Sequence, residues 1–69
     1  MLTPGIYKHY KGQHYKVLMV ARHSETEVDH VVYQALYGEQ GYWIRPLDMF
    51  TETVTISGKI VPRFVAVET

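Results

Sequence analysis

Residues 31–46 read Val31-Val32-Tyr33-Gln34-Ala35-Leu36-Tyr37-Gly38-Glu39-Gln40-Gly41-Tyr42-Trp43-Ile44-Arg45-Pro46. Two β-branched and aromatic runs flank a turn that has glycine at each end, and a proline closes the second run. Branched and aromatic side chains suit a pleated, half-buried surface. Glycine supplies the positive φ that tight hairpin turns need. Proline has no N–H to give a sheet ladder and so stops the strand. The stretch predicts an antiparallel hairpin, with strands from Val31 to Tyr37 and from Tyr42 to Arg45.

The same pattern extends in both directions. Upstream, Gly5 to Tyr10 makes a first strand, Lys11-Gly12-Gln13 a turn, and His14 to Arg22 or His23 a second strand. The second strand holds the apolar run Val17-Leu18-Met19-Val20-Ala21, which suits a strand covered on both sides, as in a barrel wall. Ser24 to His30 is polar and reads as a loop, in which Ser24-Glu25-Thr26-Glu27 fits a capping box and one helical turn. Downstream, Pro46 to Phe50 is too short for an ordinary helix and too apolar for a free loop. One 3-10 turn with Leu47 and Phe50 inward fits it.

Glu52 to Ile56 reads as a fifth strand, Ser57-Gly58-Lys59 as a turn, and Ile60 to Val67 as a sixth, edge strand that tolerates Pro62. No long apolar period of three to four residues indicates a substantial amphipathic helix. A four-strand meander, one 3-10 turn and a closing strand is the order of a small SH3-like barrel. The expected fold is therefore all-β: one partly open antiparallel barrel of five to six strands, forming a single domain over residues 1–69.

Sixty-nine residues without a cysteine have no disulfide or thiolate metal site to staple them. A core of this size supplies roughly 3–5 kcal/mol, so stability rests on packing by six Tyr, one Trp and two Phe. Self-association as a homodimer is a second source of buried surface. The net charge is zero but unevenly spread. Lys8, Lys11, Lys16 and Arg22 fill the first third without an acid. Glu25, Glu27, Asp29, Glu39, Asp48 and Glu52 then stand against Arg45 alone. The neutral total counts against a nonspecific nucleic-acid binder. No apolar run approaches the ~20 residues of a membrane span, and the start has no secretory-signal pattern. The expected location is the cytoplasm.

Several strings resemble a small family of uncharacterised bacterial domains. They are Gly5-Ile6-Tyr7-Lys8-His9-Tyr10-Lys11-Gly12, Ala21-Arg22-His23-Ser24-Glu25-Thr26, Val31 to Tyr37, Trp43-Ile44-Arg45-Pro46-Leu47-Asp48-Met49-Phe50 and Pro62-Arg63-Phe64. The likeness spans nearly the whole chain. It implies a compact β domain and carries no activity, the family being one of unknown function. Met19 departs from the glycine or other small residue expected there.

The sequence holds the residue types of three kinds of chemistry. His23-Ser24-Glu25 has the residue types of a nucleophilic triad, but neighbours in an extended chain point apart. Ser24 then caps a turn, His23 ends a strand and Glu25 is solvated. The four histidines His9, His14, His23 and His30 lack a metal-ligand spacing; strand ends could still gather His9, His23 and His30, and no metal or cofactor is expected. The third is an aromatic and basic surface. Strand alternation places Tyr33 and Tyr37 on one face, Trp43 with Arg45 on one face, and Tyr7 with His9 on another shared face. By the same alternation Tyr15, Val17, Met19, Ala21 and His23 share a face.

A wall of Tyr7, His9, Tyr33, Tyr37, Trp43 and Arg45 suits an extended or proline-rich peptide, a base or a cation. For any single ring the core is the commoner fate. Nine aromatics together exceed what so small a core hides. Arg45, between Ile44 and Pro46, needs a partner: Glu25, Asp48 or an external anion. His23 and Glu25 open the longest polar loop, where sites often lie. The expected function is a binding or interaction module for a peptide, protein or small molecule, using these eight residues. The alternatives are a small metal-dependent or His/Glu-based enzyme built on His9, His23 and Glu25, and single-stranded nucleic-acid binding by stacked tyrosines.

Overall fold

Residues 2–67 are described by the computed structural model. Among them the strands run β1 (Gly5–His9), β2 (His14–Arg22), β3 (Asp29–Ala35) and β4 (Tyr42–Pro46), then a helical turn α1 (Leu47–Phe50). β5 (Thr53–Ile56), β6 (Lys59–Pro62) and β7 (Phe64–Ala66) follow. All pairings are antiparallel. One sheet has the order β4-β3-β2-β1-β7, and β5 and β6 pair as a separate hairpin. The fold is all-β and partly open, with free edges at β4 and β7 rather than a closed barrel. No described helix is long and apolar enough to cross a membrane.

The expected last strand is split in two at Arg63. Its N–H donates to the Glu52 carbonyl at 3.1 Å, while its own carbonyl accepts from the Tyr10 N–H at 3.0 Å. One residue thus hands the chain from the β5–β6 hairpin to the edge of β1, next to the proline that could not continue a ladder. The Arg63 guanidinium binds Glu52 at 2.5 Å on the same side of the break. The short turn after Pro46 is α rather than 3-10, since the Thr51 N–H reaches back four residues to the Leu47 carbonyl at 3.0 Å.

β2 carries a bulge. Val17 lies opposite Tyr33, yet Met19 lies opposite Val32, so Leu18 is an extra residue. The alternation expected along Tyr15, Val17, Met19 and Ala21 therefore fails after Val17. Met19 and Ala21 point to the outer face, and Val20 takes the inner one beside Val31.

The inner face is the core. Tyr7, Val17, Val31, Tyr33, Phe50 and Phe64 are buried together, with Leu2, Tyr15 and Leu47 packed on their margin. The helical turn is short, but it delivers Phe50 onto this face, stacked on Phe64 at 4.0 Å between ring centroids. Tyr7 and Tyr33 meet Phe50 edge-on at 5.7 and 5.5 Å, the arrangement that ring quadrupoles favour. Aromatic packing here takes the place of the missing staples.

Candidate functional site

Register decides which rings share a surface. Tyr7 pairs with Tyr15, Tyr15 with Ala35, Val17 with Tyr33 and Tyr33 with Trp43. Residues directly opposite each other in a ladder project from the same side. Tyr7, Tyr15, Tyr33, Trp43 and Arg45 are therefore all inner-face residues, and His9 shares that face opposite Phe64. The face is sealed in its middle and open along one margin. Tyr7 and Tyr33 are core; Trp43 and Tyr37 are exposed; His9, Tyr15 and Arg45 are half-buried.

The open margin is where a ligand has room. Trp43 and Tyr37 flank a cavity of about 220 Å³ floored by Ala35 and the Gly38–Gly41 turn. The indole folds across that turn: a Cβ on Gly41 would stand 3.7 Å from Trp43 Nε1. The Tyr37 and Tyr15 hydroxyls share a hydrogen bond of 2.9 Å, and the two rings meet edge-on at 5.6 Å. Burial, and then the bond to Tyr37, push the Tyr15 hydroxyl up to about 12, so it stays protonated and able to donate.

Arg45 stands two residues beyond Trp43 on the same face. Its Nε is buried without a hydrogen-bond partner. Neither Glu25 nor Asp48 pairs with it; among the described residues the ion pairs are Arg22–Asp29 and Arg63–Glu52. The Arg45 guanidinium still lies near enough to the Tyr15 hydroxyl and the His9 ring to bias both. Burial first, then Arg63, Lys11 and Arg45, hold His9 below its ordinary value. Three cations thus act on the His9 ring, although the chain as a whole is neutral.

His23 and Glu25 lie elsewhere. They follow the far end of β2, whose nine residues span roughly 26 Å from the β1–β2 turn where His9 sits. His23 Nδ1 accepts the N–H groups of Glu25 at 3.0 Å and Thr26 at 3.3 Å. Those are the bonds an N-cap side chain makes to the second and third residues of a turn, so the cap is His23 and not Ser24. His23 and His30 approach at 5.5 Å between ring centroids, but His30 Nδ1 is engaged by the Val28 carbonyl at 2.8 Å. Among the described residues no three His, Asp or Glu side chains group as metal ligands, and His9, His23 and Glu25 do not converge.

Two features escaped the sequence reading. Tyr15 supplies the hydroxyl that anchors Tyr37, a pairing only register reveals. A larger cavity of about 450 Å³ opens between β1–β7 and the β5–β6 hairpin, lined by Lys8, His9 and Tyr10 on one side and Ile56, Val61 and Pro62 on the other. It follows from the split at Arg63, which no sequence pattern announced.

Comparison with known proteins agrees with this architecture. Residues 5–66 match the family model described as Protein of unknown function (DUF1653). The crystal structure of a protein belonging to DUF1653 from Bordetella bronchiseptica is similar to this chain, with a TM-score of 0.89 and 43% sequence identity. The match covers 96% of this chain and 87% of that one. No curated protein matches the chain.

Proposed function

The chain belongs to the DUF1653 family of proteins of unknown function, and from that premise we propose that it is a small binding module. Its ligand is a peptide, protein or small molecule that sets a flat apolar group against Trp43 and Tyr37 and an anionic group toward Arg45. The observation that carries this reading is the half-buried Arg45, whose Nε has no acceptor. A guanidinium without a counter-charge is costly away from water, and a carboxylate or phosphate is the acceptor that its fork fits best. The Tyr15–Tyr37 hydroxyl pair beside it adds a protonated donor. Exposed rings on the same face supply the apolar contact.

Titration by NMR with benzoate, phenyl phosphate and neutral benzamide tests the reading. Benzoate and phenyl phosphate should perturb the Trp43 indole and the Tyr37 ring and bind about tenfold or more tightly than benzamide, as expected for a charge-assisted contact. Arg45→Met should remove that preference while leaving the fold intact. Equal binding of charged and neutral probes, or perturbations confined to other surfaces, would reject it.

A further inference from the structure

β4 is an edge strand that offers its free backbone to a partner. The Ala35 N–H donates to the Gly41 carbonyl at 3.0 Å, which fixes the phase of the β3–β4 ladder. Hydrogen-bonded and non-bonded pairs alternate in an antiparallel ladder. Tyr33–Trp43 and Val31–Arg45 are therefore the bonded pairs of this ladder. Tyr42 and Ile44 turn their N–H and C=O groups away from β3, toward the open side. Pro46, whose nitrogen has no hydrogen, falls in the same outward set.

The side chains on this edge are as open as its backbone: Tyr42 is 69%, Trp43 59% and Ile44 61% exposed. Natural edges are usually guarded by a lysine, an inward charge, a bulge or a proline. In β4 the inward Arg45 and Pro46 stand only at its far end; Tyr42 to Ile44 carries no guard, and the β3–β4 register is unbroken.

We infer that β4 pairs antiparallel with β4 of a second copy of this chain, Trp43 opposite Trp43 and Tyr42 opposite Ile44. The strand is complementary to itself in this register. Two Tyr42–Ile44 pairs each exchange both backbone bonds, giving four across the two-fold axis. On the outer face they set aromatic against β-branched side chains, and on the inner face the two indoles meet; both are favourable cross-strand pairs. No charged residues oppose each other, because Arg45 comes to lie opposite Gly41, and two copies of zero formal charge do not repel.

The neighbouring registers are poorer. Centring on Ile44 sets Pro46 opposite Tyr42 and leaves both Tyr42 carbonyls without a donor. Centring on Tyr42 sets Ile44 opposite Gln40, which sits at φ 54 and is out of strand conformation. The contact is isologous and closes on itself, so it makes a dimer and not a filament. It joins two five-stranded sheets into one and brings the two Trp43 margins side by side. It does not depend on the proposed ligand, and its test uses none.

The chain has no cysteine, so Trp43→Cys introduces a single thiol. Opposed non-bonded residues have Cα atoms ~4.5 Å apart, within disulfide reach. Mild oxidation should therefore give a covalent dimer from Trp43→Cys and little from Tyr42→Cys, which faces Ile44. Sedimentation equilibrium of the wild-type chain should show a concentration-dependent dimer. Ile44→Lys, at a position open to water in the monomer, should weaken it about tenfold or more, since each change is felt twice. Circular dichroism checks that the variants keep their fold. A wild-type chain that stays monomeric at millimolar concentration overturns the inference. So does a dimer indifferent to Ile44→Lys, or one cross-linked better through position 42 than through 43.

Discussion

Tyr33 and Trp43 are direct partners across the β3–β4 ladder and project from the same side of the sheet, yet Tyr33 is 6% exposed and Trp43 59%. The difference comes from what lies above them: Phe50 and Phe64 close over Tyr33 at 5.5 and 6.2 Å between ring centroids, while Trp43 sits at the free edge. Equal truncations should therefore have unequal costs. Tyr33→Ala should lose about 3–5 kcal/mol, as buried aromatics do, which is comparable with the whole stability of a domain this small. Trp43→Ala should cost no more than about 1 kcal/mol. Urea denaturation followed by circular dichroism separates the two, and similar midpoints would mean that the indole is part of the core.

The His23 cap accounts for a histidine that sequence alone marked as a site. Only an acceptor two to three residues ahead of those N–H groups is needed, and asparagine provides one. His23→Asn should leave the melting temperature within a few degrees of wild type. His23→Ala, which strands both N–H groups, should cost about 1 kcal/mol. If His23→Asn proved as damaging as His23→Ala, the ring would have a role besides the cap.

Much of the fold was legible because its signals are local. The turn glycines, the stop at Pro46 and the branched runs mark the first four strands within two residues of their observed ends. The rest depends on events that leave no local mark. The extra residue at Leu18 flips Met19 and Ala21 to the opposite face, and nothing in Val17-Leu18-Met19-Val20-Ala21 tells which residue the ladder will skip. The division at Arg63 depends on two carbonyl and N–H partners far away in sequence, at Glu52 and Tyr10. The candidate wall was readable as a set of side chains, since register brings Tyr7, His9, Tyr33, Trp43 and Arg45 to one face. Which of them stay wet was not, because that is decided by where Phe50 and Phe64 land.

The bulge itself makes a prediction on neighbouring residues. Val17 is 1% exposed and Met19 54%, and unbroken alternation would have put both on the inner face. Val17→Ala should cost roughly 2 kcal/mol or more through the cavity it leaves. Met19→Thr, on the open outer face and still a good strand former, should stay within about 0.5 kcal/mol. Matched thermal melts decide it. A large loss at Met19 would put that side chain back on the inner face and remove the bulge.

His9 gives the domain an acid-sensitive term whose sign is fixed by its surroundings. Burial and then the cations Arg63, Lys11 and Arg45 lower its value in the folded chain from the ordinary 6.5. The unfolded chain therefore takes up the proton first, and stability rises with pH wherever it does so. The contribution of His9 is complete above about 6.5. It is lost as the pH falls from there toward the lowered folded value. His9→Gln, which keeps an acceptor for the Lys11 N–H now bound by His9 Nδ1 at 3.2 Å, should flatten this part of the stability profile between pH 7.5 and about 5. Lys11→Met and Arg45→Met should each raise the His9 midpoint seen by NMR. Neither should restore the ordinary value, because burial is the largest cause and both variants leave it in place. A His9 midpoint that ignores both substitutions would place the two cations too far away to act on it.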